Sequence, residues 1–197
     1  MLIVIVIIAA ALAPELRPLW FIGIAFAIGL SAYFTFLKTY LLAHPGLGSM
    51  GQFFGAYALA AALLRGAFGW VPERYGLLRV LYPALLCGGS GLVILAFASS
   101  PTHLIAAGIA CGLGHGYAFP ILSAMVVTRA RPEERGSAIS MFTALFDLGL
   151  LIGGPSFGLL VRLADYPGTF LVAAVLVVTA TVVFGIWERP RPSALPE

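Results

Sequence analysis

The chain is 197 residues long, 61% hydrophobic and 10% charged, with a formal net charge of +3 and a mean hydropathy of +1.03. Those values lie outside the range of soluble domains and point to a polytopic membrane protein. They give nucleic-acid binding no support, and the two cysteines, Cys87 and Cys111, both fall inside apolar spans with no disulfide or metal-ligand pattern around them. No cofactor is expected.

The residues Met1 to Ala13 are apolar, but as a helix they reach about 20 Å against a hydrocarbon core of about 30 Å. No basic residue precedes the run and Pro14 follows it, which argues against a signal peptide. It is read as the tail of a longer helix, a partial span over 1–13. A full span follows from Pro18 to Leu42. It carries Ser31, Thr35 and Lys38 on one face.

The turn formers Pro45, Gly46 and Gly48 lead to a span from Met50 to Gly69. The charged loop after it, GWVPERYGLLR, holds Arg74 and Arg79 close to Arg65, so this loop is expected in the cytoplasm. A span from Leu77 to Ser99 ends in a turn without Lys or Arg, expected outside. Next come a span from Leu104 to Thr128, the cytoplasmic turn RARPEERGS, a span from Ser137 to Val161, the turn Arg162 to Gly168, and a last span from Thr169 to Trp187. With a cytoplasmic tail over 190–197, nine of the eleven basic residues lie inside and only Lys38 and Arg162 outside. That asymmetry sets the orientation, C-terminus in. Two loops, Gly66 to Gly76 and Gly158 to Gly168, share their bounding glycines and an acid, Glu73 or Asp165, seven residues after the first. They would sit on opposite sides, as an inverted three-plus-three repeat requires.

Ionisable groups deep in apolar spans mark function by default. His115 and Asp147 each lie about 15 Å into their spans, at a matching level on successive helices. Ser140, Thr143 and Asp147 share a face, so Asp147 is read as looking into a polar cavity; the competing reading is a structural strut bonded to neighbouring helices. For His115 the competing reading is a packed histidine, and for Lys38 a side chain snorkelling to the outer interface. Glycines at Gly108, Gly112 and Gly116, at Gly149 and Gly153, and at Gly154 and Gly158 are spaced for close helix approach, while Pro120 and Pro155 are placed to kink their helices. Gly154-Pro155-Ser156-Phe157-Gly158 also fits the spacing of a serine nucleophile elbow. All three histidines precede Ser156, which leaves an intramembrane serine protease a remote alternative.

The loop Gly69-x-x-x-Glu73-Arg74-x-Gly76-x-x-Arg79 and the segment GLGHGYAFP…RPEERGSA…FDLGLLIGGPSFG resemble the C-terminal half of a major facilitator superfamily transporter. Glu73 stands where the family's loop motif usually has aspartate, and Leu77 and Leu78 stand where basic residues are common. The resemblance implies an all-α membrane protein, the six-helix half of such a bundle, counted as five complete transmembrane helices plus the partial first one. The transporter half is bounded at 14–189. The resemblance further implies that the first, second, fourth and fifth helices line a cavity. The expected function is secondary active transport of a small organic solute, proton-coupled efflux by an antiporter of the cell membrane, in the lipid bilayer and paired with an N-terminal six-helix half or a second copy. The alternative is a non-transporting fragment or interaction module. An enzyme is not expected.

Overall fold

A computed structural model of the chain describes residues 13–188. The partial helix expected over 1–13 lies outside the described residues apart from Ala13, and so does the tail over 190–197. Among the described residues every regular element is helical: α1 (Arg17–Ala43), a 3₁₀ turn (Pro45–Leu47), α2 (Met50–Phe68), the short α3 (Val71–Tyr75), α4 (Leu77–Ala96), α5 (Pro101–Arg129), a 3₁₀ turn (Pro132–Glu134) and α6 (Arg135–Trp187). The fold is that of an all-α membrane protein.

Helix starts follow local chemistry. Pro18 occupies the first turn of α1, where a missing N–H does no harm. Ser49 and Gln52 form a reciprocal capping box at α2, and the Ser100 hydroxyl accepts from the His103 backbone at α5. The charged loop is not merely broken by its glycines and proline, because its VPERY segment forms α3. Gly76 then turns the chain at φ 97°, a conformation that suits glycine alone.

Five helices, the last counted over Pro132–Trp187, are long and apolar enough to cross a membrane. The last of them bends at Asp165, whose φ of 58° and ψ of −177° leave the helical region. Its two limbs, 135–164 and 166–187, are each about 33 Å or longer at 1.5 Å per residue, enough to cross once. The described residues thus make six crossings. The Ser137–Val161 and Thr169–Trp187 spans expected from the sequence are these two limbs, so the expected total of five complete spans is one short of the six, and the expected turn from Arg162 to Gly168 shrinks to one residue. The Asp165 side chain accepts from the Tyr166 N–H at 2.8 Å and its carbonyl accepts from the Thr169 hydroxyl at 2.8 Å. These two bonds engage the first N–H of the second limb and the carbonyl at the bend.

Packing follows the two-triplet scheme. The first helix of each triplet meets members of the other: α1 packs on both limbs of α6, and α5 packs on α2 and α4. Gly23 and Gly29 of α1 lie against Phe142 of the first limb and Val177 of the second. Tyr33, Phe26, Phe53, Phe142, Phe170 and Phe184 are fully buried between these helices. One end of the bundle is tied by Arg129, which donates to the Glu188 carboxylate at 2.9 and 2.6 Å and to the Glu15 carbonyl at 3.3 Å. The ends of α5 and α6 and the approach to α1 meet there. Arg17, Arg65, Arg74, Arg79, Arg131 and Arg135 also belong to this end. At the opposite end Tyr40 and His44 pack on Tyr166 beside the bend, with ring centroids 5.5 and 6.5 Å away. The α2–α4 loop and the Asp165 bend consequently occupy opposite ends.

Candidate functional site

The glycine row of α5 decides where His115 sits. A Cβ on Gly108 would lie 2.5 Å from the Phe53 carbonyl oxygen, one on Gly112 would lie 2.9 Å from the Tyr57 carbonyl carbon, and one on Gly116 would lie 3.2 Å from Ala61 Cα. Only glycine lets the α2 backbone come this near. On another face of α5, Gly114 meets Gly88 of α4 just as closely, a Cβ there lying 2.6 Å from Gly88 Cα. Held between α2 and α4, α5 carries His115 to the Tyr57 hydroxyl, which hydrogen-bonds Nδ1 of the imidazole. With the phenol donating, the neutral ring keeps its proton on Nε2.

The imidazole is enclosed by aromatic rings. Phe26, Phe34, Phe119 and Phe146 have centroids 6.1, 6.5, 6.0 and 6.4 Å from it. Beside it opens a concavity of about 310 Å³ walled by Ser31, Phe34, Thr35, His115, Phe146 and Leu150. The structure thus brings Ser31 and Thr35 of α1 together with His115 of α5. Ser31 is buried and its hydroxyl donates to the Ile28 carbonyl at 2.7 Å. Thr35 is exposed at the concavity, and Lys38, also exposed, stands one turn further along α1.

Asp147 occupies a second concavity, of about 420 Å³, with Ser140 and Thr143. Their hydroxyls donate to the Gly136 and Ile139 carbonyls of their own helix at 2.9 and 3.0 Å, which turns oxygen lone pairs outward. Asp147 is exposed and makes no hydrogen bond or ion pair with any described residue. His115 and Asp147 do not share a concavity: Phe146 packs on the histidine ring, and its neighbour Asp147 is exposed in the other.

The first limb meets α1 through Gly149 and Gly153. A Cβ on Gly149 would lie 2.7 Å from the Ile24 carbonyl oxygen, and one on Gly153 would lie 2.9 Å from Ser31 Cβ. Gly154 and Gly158 do not behave this way. Nothing lies within 4 Å of a Cβ on Gly154, and Gly158 meets only Phe36 at an ordinary 3.6 Å, so that pair makes no close helix approach among the described residues. Pro155 is exposed within the first limb, and Pro120 is exposed within α5. Pro120 borders a concavity of about 270 Å³ shared with Arg65, Gly69 and Glu73.

In the loop, Gly69 ends α2 where a Cβ would press the Arg65 carbonyl oxygen at 2.6 Å. Glu73 and Arg74 are exposed in α3, with the Arg74 guanidinium 5.5 Å from the Trp70 ring centre and 5.9 Å from that of Tyr75. Arg79 is exposed in the first turn of α4. The nucleophile-elbow pattern assembles no dyad: the Ser156 hydroxyl donates to the Ile152 carbonyl at 2.8 Å, and His44, His103 and His115 bond Tyr40, Ser99 and Tyr57.

Sequence reasoning ranked ionisable groups and passed over Tyr57, the partner that fixes the His115 ring. A phenol one helical turn from Phe53, in an otherwise apolar span, was the available signal. The Arg129–Glu188 pair, 59 residues apart, had no local signal.

The Major Facilitator Superfamily model matches residues 19–197. Among curated proteins, the uncharacterized MFS-type transporter YhhS of Salmonella enteritidis PT4 is 30% identical over 182 residues, covering 90% of this chain and 44% of that protein. YhhS of Escherichia coli K12 is 27% identical with the same coverage. A further uncharacterized MFS-type transporter of Salmonella typhimurium is 40% identical over 104 residues, 52% of this chain and 26% of that protein. The chain therefore spans less than half the length of these relatives. A bundle of apolar membrane-crossing helices and a family match over nearly the whole sequence lead to one conclusion: this chain is a multi-pass membrane protein of the Major Facilitator Superfamily.

Proposed function

We propose that this chain forms one wall of a transport pathway for a small organic solute, completed by an N-terminal six-helix half or a second copy. The observation that carries the reading is Asp147, a carboxylate midway along a membrane-crossing limb, exposed and without a hydrogen-bond or ion-pair partner among the described residues. An ionised side chain at that depth is costly against lipid, so it faces a water-filled path or another protein wall. The concavity at Ser31, Thr35 and His115 is the solute-facing surface, and Asp147 is the group that takes up and releases a coupling proton.

The direction proposed is efflux by proton antiport, by resemblance of the FDLG and RPEERG stretches to drug and metabolite exporters. The positive-inside rule supports a cytoplasmic arginine-rich end and C-terminus, and the membrane proposed is the cell membrane. Reconstitution separates this reading from that of a non-transporting module. Solute counterflow in proteoliposomes is expected when the chain is combined with an upstream six-helix half. Absence of counterflow in that combination, with both parts folded, would leave only the interaction-module reading.

A further inference from the structure

At the arginine-rich end a groove of about 530 Å³ runs between the first turn of α4 and the last turns of α5. Leu77, Leu78 and Met125 form its apolar walls, Tyr75 and Arg79 line it too, and among the described residues no acidic side chain does. The two arginines that border it differ in kind. Arg129 holds Glu188 in a two-point contact, so that pair adds no net charge and fixes one wall. Arg79 is exposed and makes no ion pair with any described residue.

The Thr128 hydroxyl is engaged by the Ala124 carbonyl and leaves the Arg79 side of the groove uncontested. The α4 helix begins here without a side-chain cap, which adds unengaged backbone N–H groups beside the same cation. Trp70 and Tyr75 are 48% and 53% exposed at the rim level, with Arg74 over both rings. Exposed amphipathic aromatics beside arginines mark the headgroup level of a bilayer. A free cation above an apolar trough, at that level, is complementary to an amphiphile with one anionic head.

We infer that the α4–α5 groove binds an anionic phospholipid, its phosphodiester on Arg79 and an acyl chain along Leu77, Leu78 and Met125. The site lies apart from the Asp147 and His115 concavities and does not depend on transport. A free phosphate has the same head chemistry but leaves the apolar trough uncovered, so the two sources differ in what they need from the wall at Leu78.

Native mass spectrometry of the purified full chain, titrated with dioleoylphosphatidylglycerol or dioleoylphosphatidylcholine, tests this. One phosphatidylglycerol is expected to be retained with about fivefold preference, the ratio that one surface arginine's contribution of about 1 kcal/mol produces. Arg79→Gln removes the preference, Arg79→Lys keeps most of it, and Leu78→Trp, at the half-buried wall of the trough, weakens retention of either lipid. Arg131→Gln, away from the groove, changes nothing. Thermal unfolding establishes that each variant is folded. Equal retention of the two lipids, an unchanged preference in folded Arg79→Gln, or displacement by glycerol phosphate at the lipid's own concentration would each overturn the assignment, the last in favour of a free phosphate.

Discussion

The Tyr57 hydroxyl of α2 hydrogen-bonds Nδ1 of His115 on α5, joining two helices that only a glycine row allows to come so close. Removing the hydroxyl leaves the ring without its orienting partner. Tyr57→Phe is expected to lower stability by about 1 kcal/mol, read as a fall in detergent melting temperature. In the reconstituted transporter it is expected to raise KM for the solute more than it changes the maximal rate. A KM equal to that of the unaltered protein would place the pair outside the solute path.

The glycine positions divide into two kinds. Gly112→Ala pushes a methyl group into the Tyr57 backbone, where no flexible side chain can yield. The expected loss is about 1–3 kcal/mol. Gly154→Ala meets open space and removes a weak helix former, so a gain of up to about 1 kcal/mol is expected. Thermal unfolding of the two variants side by side checks the contrast, and similar melting temperatures would refute it.

The expected spans and the observed helices agree well where apolar runs are long: the first was read as Pro18 to Leu42 and forms Arg17–Ala43. The Arg162 to Gly168 turn was read too long, because proline and glycine signal a break without saying how many residues it takes. Asp165 absorbs the whole bend by adopting a conformation that composition does not encode. The Ser31, Thr35 and Ser140, Thr143, Asp147 faces were legible because helical spacing alone puts those residues on one side. Tyr57 and the Phe146 divider were not, since they depend on which helix packs against which. The equal spacing of Gly154 and Gly158 to the true contact glycines shows the same limit: spacing identifies a face, and only packing shows what the face meets.

Asp165 gives a test of that bend. Its backbone lies where glycine is at ease and other residues carry strain, yet its carboxylate accepts from the Tyr166 N–H. Asp165→Ala loses the cap and keeps the strain, whereas Asp165→Gly loses the cap and releases the strain. The alanine variant is therefore expected to be less stable than the glycine variant by about 1–2 kcal/mol. Melting temperatures in the reverse order would contradict this account of the bend.

The Arg129–Glu188 pair closes one end of the bundle at side-chain exposures of 26% and 10%. Glu188→Gln leaves a half-buried guanidinium without its counter-charge, and a loss of about 1–3 kcal/mol is expected, between exposed and buried pairs. Faster hydrogen exchange at the ends of α5 and α6 should accompany the loss, and unchanged exchange there would show that the pair does not hold the end together.

The proposed transport path turns on Asp147 as the carrier of the coupling proton. The test is made in proteoliposomes holding this chain with an added N-terminal six-helix half, by measuring pH-driven solute movement and solute counterflow for Asp147→Asn. A neutral side chain of the same shape can let the walls alternate but cannot load or release a proton. The account predicts that pH-driven movement is lost while counterflow persists; full pH-driven movement in the variant would contradict it.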